Sequence, residues 1–219
     1  MSTKNAIITA AATIVWLGWF YLLTSNIATP PVTQLRWFPP GETAFMARFS
    51  SGDADRTWVS LEEISNNLKR AVVIAEDDEF FEHPGVNIEA ARKAARYNWR
   101  KRRLLRGAST ITMQLAKNLY LTPRKSSWRK FREVLIALKL ERELSKERIL
   151  EIYLNVVEWG NGVFGAEAAS RHYFNKNAST LTKREAAFLA AILPKPRFYD
   201  KNRSGPYLNR RISSISSRI

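Results

Sequence analysis

The stretch from Val59 to Gly85, VSLEEISNNLKRAVVIAEDDEFFEHPG, carries the reading of the fold. Ser60 precedes Glu63 at the spacing of a capping box, and Val59 with Ile64 has that of a hydrophobic staple. Leu61, Ile64, Leu68, Val72 and Ala75 then follow at helical spacing, which predicts a helix opening near Ser60. Glu76 stands four residues after Val72, so it continues this helix beside its buried edge. A carboxylate placed there is partly desolvated and has acidic neighbours, and both effects raise its pKa. That is the tuning a general acid or base needs at neutral pH. A merely solubilising, exposed acidic helix end would read the same way.

Helical signals continue downstream. Glu89 to Leu105 has the pattern of a very basic helix, and Ile111, Leu115 and Leu119 mark the buried stripe of another. Ser127 is placed to cap a helix through Glu143, with Phe131, Leu135 and Leu138 inward, and Ser145 one that runs to about Val157. Gly160, Gly162 and Gly165 break the chain before a helix through Phe174; Thr182 with Glu185 forms a second capping box, whose helix Pro194 closes. No alternating apolar and polar run of strand length stands out, so the expected fold class is all-α. The expected organisation is a short end over 1–5, an apolar segment over 6–23, a Pro-punctuated lead-in over 24–58, one domain over 59–200 and a basic tail or helix over 201–219.

The composition narrows the chemistry. With no cysteine and two histidines, His83 and His172, neither a thiolate nucleophile nor a histidine-rich metal site is available, and carboxylates must carry acid–base work. The formal charge is +15, and Ala90 to Arg132 holds 14 Lys or Arg with no Asp or Glu. Nucleic acid, an anionic membrane surface or a phosphorylated substrate would each suit such a field. The N-terminus selects among them. No residue from Asn5 to Leu35 is charged, and Ala6 to Leu23 reads AIITAAATIVWLGWFYLL. At ~1.5 Å per residue that segment spans ~27 Å, enough for a bilayer core. Trp16, Trp19 and Tyr21 gather toward one end like an aromatic belt, and Asn26-Ile27-Ala28 fits a signal-peptidase site poorly. An uncleaved anchor is therefore expected, with Lys4 on the cytoplasmic side and the domain outside. A basic domain held beside a membrane demotes nucleic acid as a partner.

Two further features carry chemistry. In Gly107–Asn118, GASTITMQLAKN, Thr110, Gln114 and Lys117 share a face away from the apolar stripe. That face offers a hydroxyl, an amide and an ammonium, all donors to phosphate oxygens. An ordinary amphipathic helix is the plainer account. Glu133 is the first acid after Glu89, with Arg129 and Lys130 at i−4 and i−3. It could orient those cations or be a surface salt bridge of little worth. Two carboxylates in contrasting environments are how glycosyl chemistry divides its labour.

Glu76–Gly85, Gly107–Leu121, Arg129–Glu141 and Lys146–Phe174 resemble, in order and spacing, the motifs of the peptidoglycan glycosyltransferases, the transglycosylase domains of class A penicillin-binding proteins and their stand-alone relatives. The resemblance covers roughly residues 60–200, and no transpeptidase domain follows. It implies a lysozyme-like helical lobe and a small membrane-associated jaw lobe, the latter including Trp99, Leu104, Leu105 and Trp128. It implies that Glu76 is the general base acting on the sugar 4-hydroxyl of lipid II and that Glu133 assists the leaving diphosphate or its bound cation. Ser109, Thr110, Gln114, Lys117, Asn118, Arg129 and Lys130 would bind diphosphate and sugars, while Asp77, Phe80 and His83 shape the site. Glu151, Tyr153, Asn155 and Gly160 match a later motif read mainly as scaffold. The family's tandem glutamine appears as Met113-Gln114: the first of the pair is lost and the second kept, which bears on sugar contacts at 113 and not on the diphosphate site. No organic cofactor is expected; a divalent cation, Mg or Mn, at the diphosphate is left open. The expected partners are lipid II, the growing lipid-linked glycan strand, the inner membrane and other cell-wall synthesis proteins. A lytic enzyme of lysozyme-like fold would need no phosphate site, and a non-enzymatic scaffold would need neither glutamate.

Overall fold

The computed structural model describes residues 3–24, 30–49, 57–103, 107–122 and 126–219. It is mostly helical. The first helix, α1 (Thr3–Thr24), is followed by a lead-in holding a 3₁₀ turn at Thr33–Arg36 and the short α2 (Met46–Phe49). This lead-in is not a bare spacer, because Val32, Leu35 and Met46 are buried in the domain core. Among the described residues no helix is long and apolar enough to cross a membrane.

The helix expected near Ser60 opens one turn later, as α3 (Asn66–Glu76), capped by the Ser65 hydroxyl, which accepts the Leu68 N–H at 3.1 Å. Glu63 does reach the Ser60 N–H at 2.9 Å, but this pair closes an isolated turn. Ser65 wins because Ser60–Ser65 is anchored elsewhere, with the Ser65 N–H donating to Ala178 O at 3.1 Å. Next come α4 (Ile88–Lys101), α5 (Ile111–Tyr120), α6 (Ser127–Glu143) and α7 (Lys146–Val156). The cap of α6 is Ser126, one residue before the expected one. Helix α4 stops at Arg102, which is left-handed at φ 48°, so the helix is shorter than its charge pattern suggests.

The glycine-marked break holds a small antiparallel ribbon, β1 (Glu158–Gly160) with β2 (Val163–Phe164), which an alternation test cannot see at such lengths. Gly165, at φ 88°, packs so closely on Asn155 O that a Cβ would meet it at 2.9 Å. The chain closes with α8 (Ala166–Phe174), α9 (Lys183–Ile192), α10 (Pro196–Lys201) and α11 (Pro206–Ser216). The Thr182–Glu185 capping box forms as read. Helix α9 is the hub: α3 and α11 pack on it, and α5 packs between α6 and α7. Leu208, Ile215 and Ile219 bury the last segment into this core, so it is an integral helix.

Candidate active site

The turn after α3 is braced from behind. The Asp77 carboxylate is buried, accepts the Ile111 N–H at 3.0 Å and lies 2.9 and 3.0 Å from His83 Nε2. The Gly85 N–H donates to His83 Nδ1 at 3.1 Å, so the proton sits on Nε2 and points at Asp77. Thr110 caps α5, accepting the Met113 N–H at 3.1 Å and donating to Gly85 O at 2.6 Å. Phe80 is fully buried, edge-on to Phe81, with Lys146 Nζ 4.5 Å from its ring centre. Asp77, Phe80, His83 and Thr110 thus pin the α3 end to the start of α5, with their polar groups satisfied by protein. Gly85, at φ 90°, is pressed against Glu141, where a Cβ would meet Cγ at 2.7 Å.

Glu76, the last residue of α3, faces forward from this brace. Gln114 Nε2 donates to its Oε2 at 2.9 Å, and Arg211 of α11 stands 3.5 Å from Oε1. Burial raises the Glu76 pKa above the ordinary carboxylate range; the Gln114 hydrogen bond, Arg211 and Lys117 pull it back, and Asp77 adds to the rise.

Beyond Gln114 opens a pocket of about 380 Å³, lined by Phe45, Ser109, Gln114, Lys117, Leu121, Arg129, Lys130 and Glu133. Glu133 is 3% exposed, and both its oxygens are engaged: Arg129 Nη1 at 2.7 Å and Lys130 Nζ at 2.5 Å. Lys130 also donates to Ser109 Oγ at 2.9 Å. Arg129 Nε is buried with no hydrogen-bond partner among the described residues. Lys117 makes no ion pair among them either; burial lowers its pKa, with Arg129 and Lys130 adding to the fall and Glu133 and Glu76 opposing it. The pocket is short of negative charge. Two of its cations share one carboxylate, and donors remain unfilled.

The structure therefore brings Ser109, Gln114, Lys117, Arg129, Lys130 and Glu133 together, with Glu76 one amide away. Asn118 is buried behind this face, as is Met113 in place of a glutamine, so neither lines the pocket.

The sequence pattern of the transglycosylase family matches residues 42–219. The chain belongs to that family. Among curated relatives, it is 49% identical over 196 residues to the "Biosynthetic peptidoglycan transglycosylase" of Nitrosospira multiformis, covering 86% of this chain and 85% of the relative. It is 49% identical over 191 residues to the protein of that name from Dechloromonas aromatica, covering 84% and 83%. A third, from Nitrosomonas eutropha, is 44% identical over 217 residues, covering 95% and 86%.

Sequence reasoning missed two residues of this transglycosylase site. Arg211 lies in what reads as a basic tail, and only the packing of α11 on α3 and α9 delivers it to Glu76. Tyr153, read as scaffold, sends its hydroxyl to Gln114 Oε1 at 3.0 Å. For the first, the apolar spacing of Leu208, Ile212, Ile215 and Ile219 could have revealed a core helix, but nothing local says that it packs Arg211 against Glu76. The second sits in an apolar run, where a tyrosine reads as core. Among the described residues no cluster of His, Asp or Glu could hold a metal ion by itself, and both Glu133 oxygens are engaged by cations.

Proposed function

We propose that the chain polymerises lipid II into β-1,4-linked glycan strands, releasing undecaprenyl diphosphate. The observation that carries this reading is one helix, α5, presenting Gln114 to the largely buried Glu76 and Lys117 to a pocket of unfilled cationic donors. In this reading ionised Glu76 removes the proton from the 4-hydroxyl of the incoming lipid II. The oxygen attacks C1 of the growing strand, the bond from C1 to the diphosphate oxygen breaks, and the diphosphate leaves with the electron pair, inverting C1. Arg129, Lys130, Lys117 and Ser109 take up the charge that develops on the diphosphate. Glu133 holds the first two in place, and Asp77, His83, Phe80 and Thr110 hold the turn that carries Glu76.

The same proposal makes α1 a single-pass anchor in the inner membrane with the domain outside. Its 22 residues measure ~33 Å at ~1.5 Å each, and Ile7, Ile8, Ile14, Val15, Trp16, Leu17 and Phe20 all stand exposed. Trp19 meets Phe131 edge-on at 5.9 Å, and Phe131 stacks on Trp128 at 5.5 Å. Trp99, 86% exposed on α4, fits a jaw lobe resting in the bilayer beside a lysozyme-like lobe; Leu104 and Leu105, assigned with it, lie outside the described residues. A membrane segment at 6–23 and cell-wall synthesis proteins as partners belong to this reading, with a domain that extends past the expected 59–200 to take in the buried lead-in and α11.

Purified protein incubated with lipid II in detergent should give a ladder of lengthening glycan on a gel. Cleavage of preformed strands without polymerisation would favour a lytic enzyme instead. Deleting residues 1–24 should leave a domain that still polymerises detergent-dispersed lipid II but is slower on membranes, since the anchor supplies local concentration. Recovery of the full-length chain as a cleaved, freely soluble species would end the anchor reading.

A further inference from the structure

We infer that Tyr153 is a positioning residue for Glu76, acting through the side-chain amide of Gln114. The inference rests on the reading of Glu76 as the general base. An amide side chain has nearly the same shape either way round, and which end faces Glu76 decides whether the carboxylate meets a donor or an acceptor. Ionised Glu76 can only accept, so Nε2 turns to it, and the Tyr153 hydroxyl, able to donate, holds the opposite end of the amide in that orientation. Tyr153 is fully buried on α7, and its hydroxyl donates to Gln114 Oε1 at 3.0 Å while Gln114 Nε2 donates to Glu76 Oε2 at 2.9 Å. Burial, with Glu76 and Asp77 nearby, holds the phenol pKa well above its ordinary value, so it stays a donor across the working range.

Three helices therefore meet at one carboxylate oxygen: α7 supplies the hydroxyl, α5 the amide and α3 the glutamate. Donation into the amide oxygen polarises the amide and strengthens its N–H toward Glu76. With Oε2 occupied in this way, Oε1, whose one hydrogen-bond partner among the described residues is Arg211 at 3.5 Å, is the oxygen left to take the substrate proton. The other charged groups facing Glu76 are Lys117 on α5 and Asp77 on the following turn.

Tyr153→Phe keeps the ring and removes the hydroxyl, leaving a buried carbonyl oxygen unpaired. Measured on lipid II in detergent, kcat should fall about 10-fold, the weight of one well-placed hydrogen bond, with KM near that of the wild type. The acid limb of kcat/KM should move to higher pH, because ionised Glu76 has lost an aligned donor. In a Gln114→Ala background Tyr153→Phe should change nothing further. Replacing Tyr153 by 3-fluorotyrosine, a stronger donor of nearly the same size, should move the acid limb the other way, and this variant remains informative if Tyr153→Phe does not fold. Losses that multiply with Gln114→Ala, or an acid limb that stays in place in both variants, would overturn the inference. Glu76→Gln separates the two layers: wild-type turnover removes the base reading itself, whereas an inactive Glu76→Gln beside an unmoved acid limb removes only the role of Tyr153.

Discussion

Glu133 is buried, Glu76 is largely so, and the two stand on either side of Lys117, yet the fold treats them in opposite ways. Glu133 has a cation on each oxygen, at 2.7 and 2.5 Å. Glu76 receives one neutral amide donor and an arginine at 3.5 Å, and burial pushes its pKa up. The regions around them differ in the same sense. Behind Glu76 lies a braced wall in which Asp77, His83, Thr110 and Phe80 are satisfied by protein. Before Glu133 lies an open, cation-lined pocket with a buried Arg129 Nε that no described residue satisfies. Burial alone does not give a carboxylate its work; its partners do. A glutamate with one loosely placed arginine is poised to take a proton, and one with a cation tight on each oxygen is poised to hold them.

The largest test of this contrast is Glu76→Gln. If Glu76 is the proton acceptor, polymerisation should fall by ~10²–10⁴, the usual cost of losing a general base. The same change should make the fold melt higher at neutral pH. The sign follows from the raised pKa: a carboxylate whose folded pKa lies above its unfolded value contributes stability below the unfolded pKa and loses it as pH rises through the folded one. At neutral pH the ionised Glu76 is therefore a net cost, which the neutral glutamine avoids. Calorimetry at neutral and acid pH should show the difference shrinking as pH falls. A variant that turns over normally would make the two glutamates equivalent.

Much of this contrast could be read from the letters, and what could not has a physical reason. Glu133 with Arg129 and Lys130 is legible because one helical turn brings them together. The face shared by Gln114 and Lys117 is legible for the same reason, although Thr110 at its start is turned to capping. The Ser60–Glu63 pair was a sound local signal in the wrong place: both hydrogen bonds of a turn form, but tertiary pairing of Ser65 with Ala178 moves the helix start. The ribbon at Glu158–Phe164 is too short for any period to show. Arg211 and Tyr153 were invisible as site residues because their contacts join segments far apart in the chain, and only the packing of α11 and α7 supplies that proximity.

A middle-sized effect sharpens the pocket side. Lys117→Ala should lower kcat by roughly 10-fold or more, since a preorganised charge contact strengthens as the diphosphate leaves. Lys183→Ala, an exposed cation on α9, should change little. The two perturbed groups also set a pH window. Raised Glu76 moves the acid limb of kcat/KM up from the carboxylate range, and lowered Lys117 moves the alkaline limb down from the lysine range. Lys117→Arg should restore activity at high pH, because a guanidinium does not titrate there. Identical alkaline limbs for wild type and Lys117→Arg would take Lys117 out of the leaving-group site.

The smallest effect asks whether the wall behind Glu76 is truly a wall. Thr110 has a hydroxyl that could reach a phosphate, but the structure spends it twice, on the Met113 N–H and on Gly85 O. Thr110→Ala should therefore cost about 1 kcal/mol of stability as a lost helix cap. For a chain of this size that is a fall in Tm of about 2–4 °C. Thr110→Ser, which keeps the hydroxyl, should recover most of it. KM for lipid II should stay near wild type in both variants, and kcat should fall only as far as a loosened α5 start lets the Glu76 turn drift. Paired melting curves and steady-state kinetics decide the matter. If Thr110→Ala raised KM and left Tm alone, the hydroxyl would be touching substrate, and the division between a braced wall and an open cationic pocket would have to be redrawn with Thr110 on the pocket side.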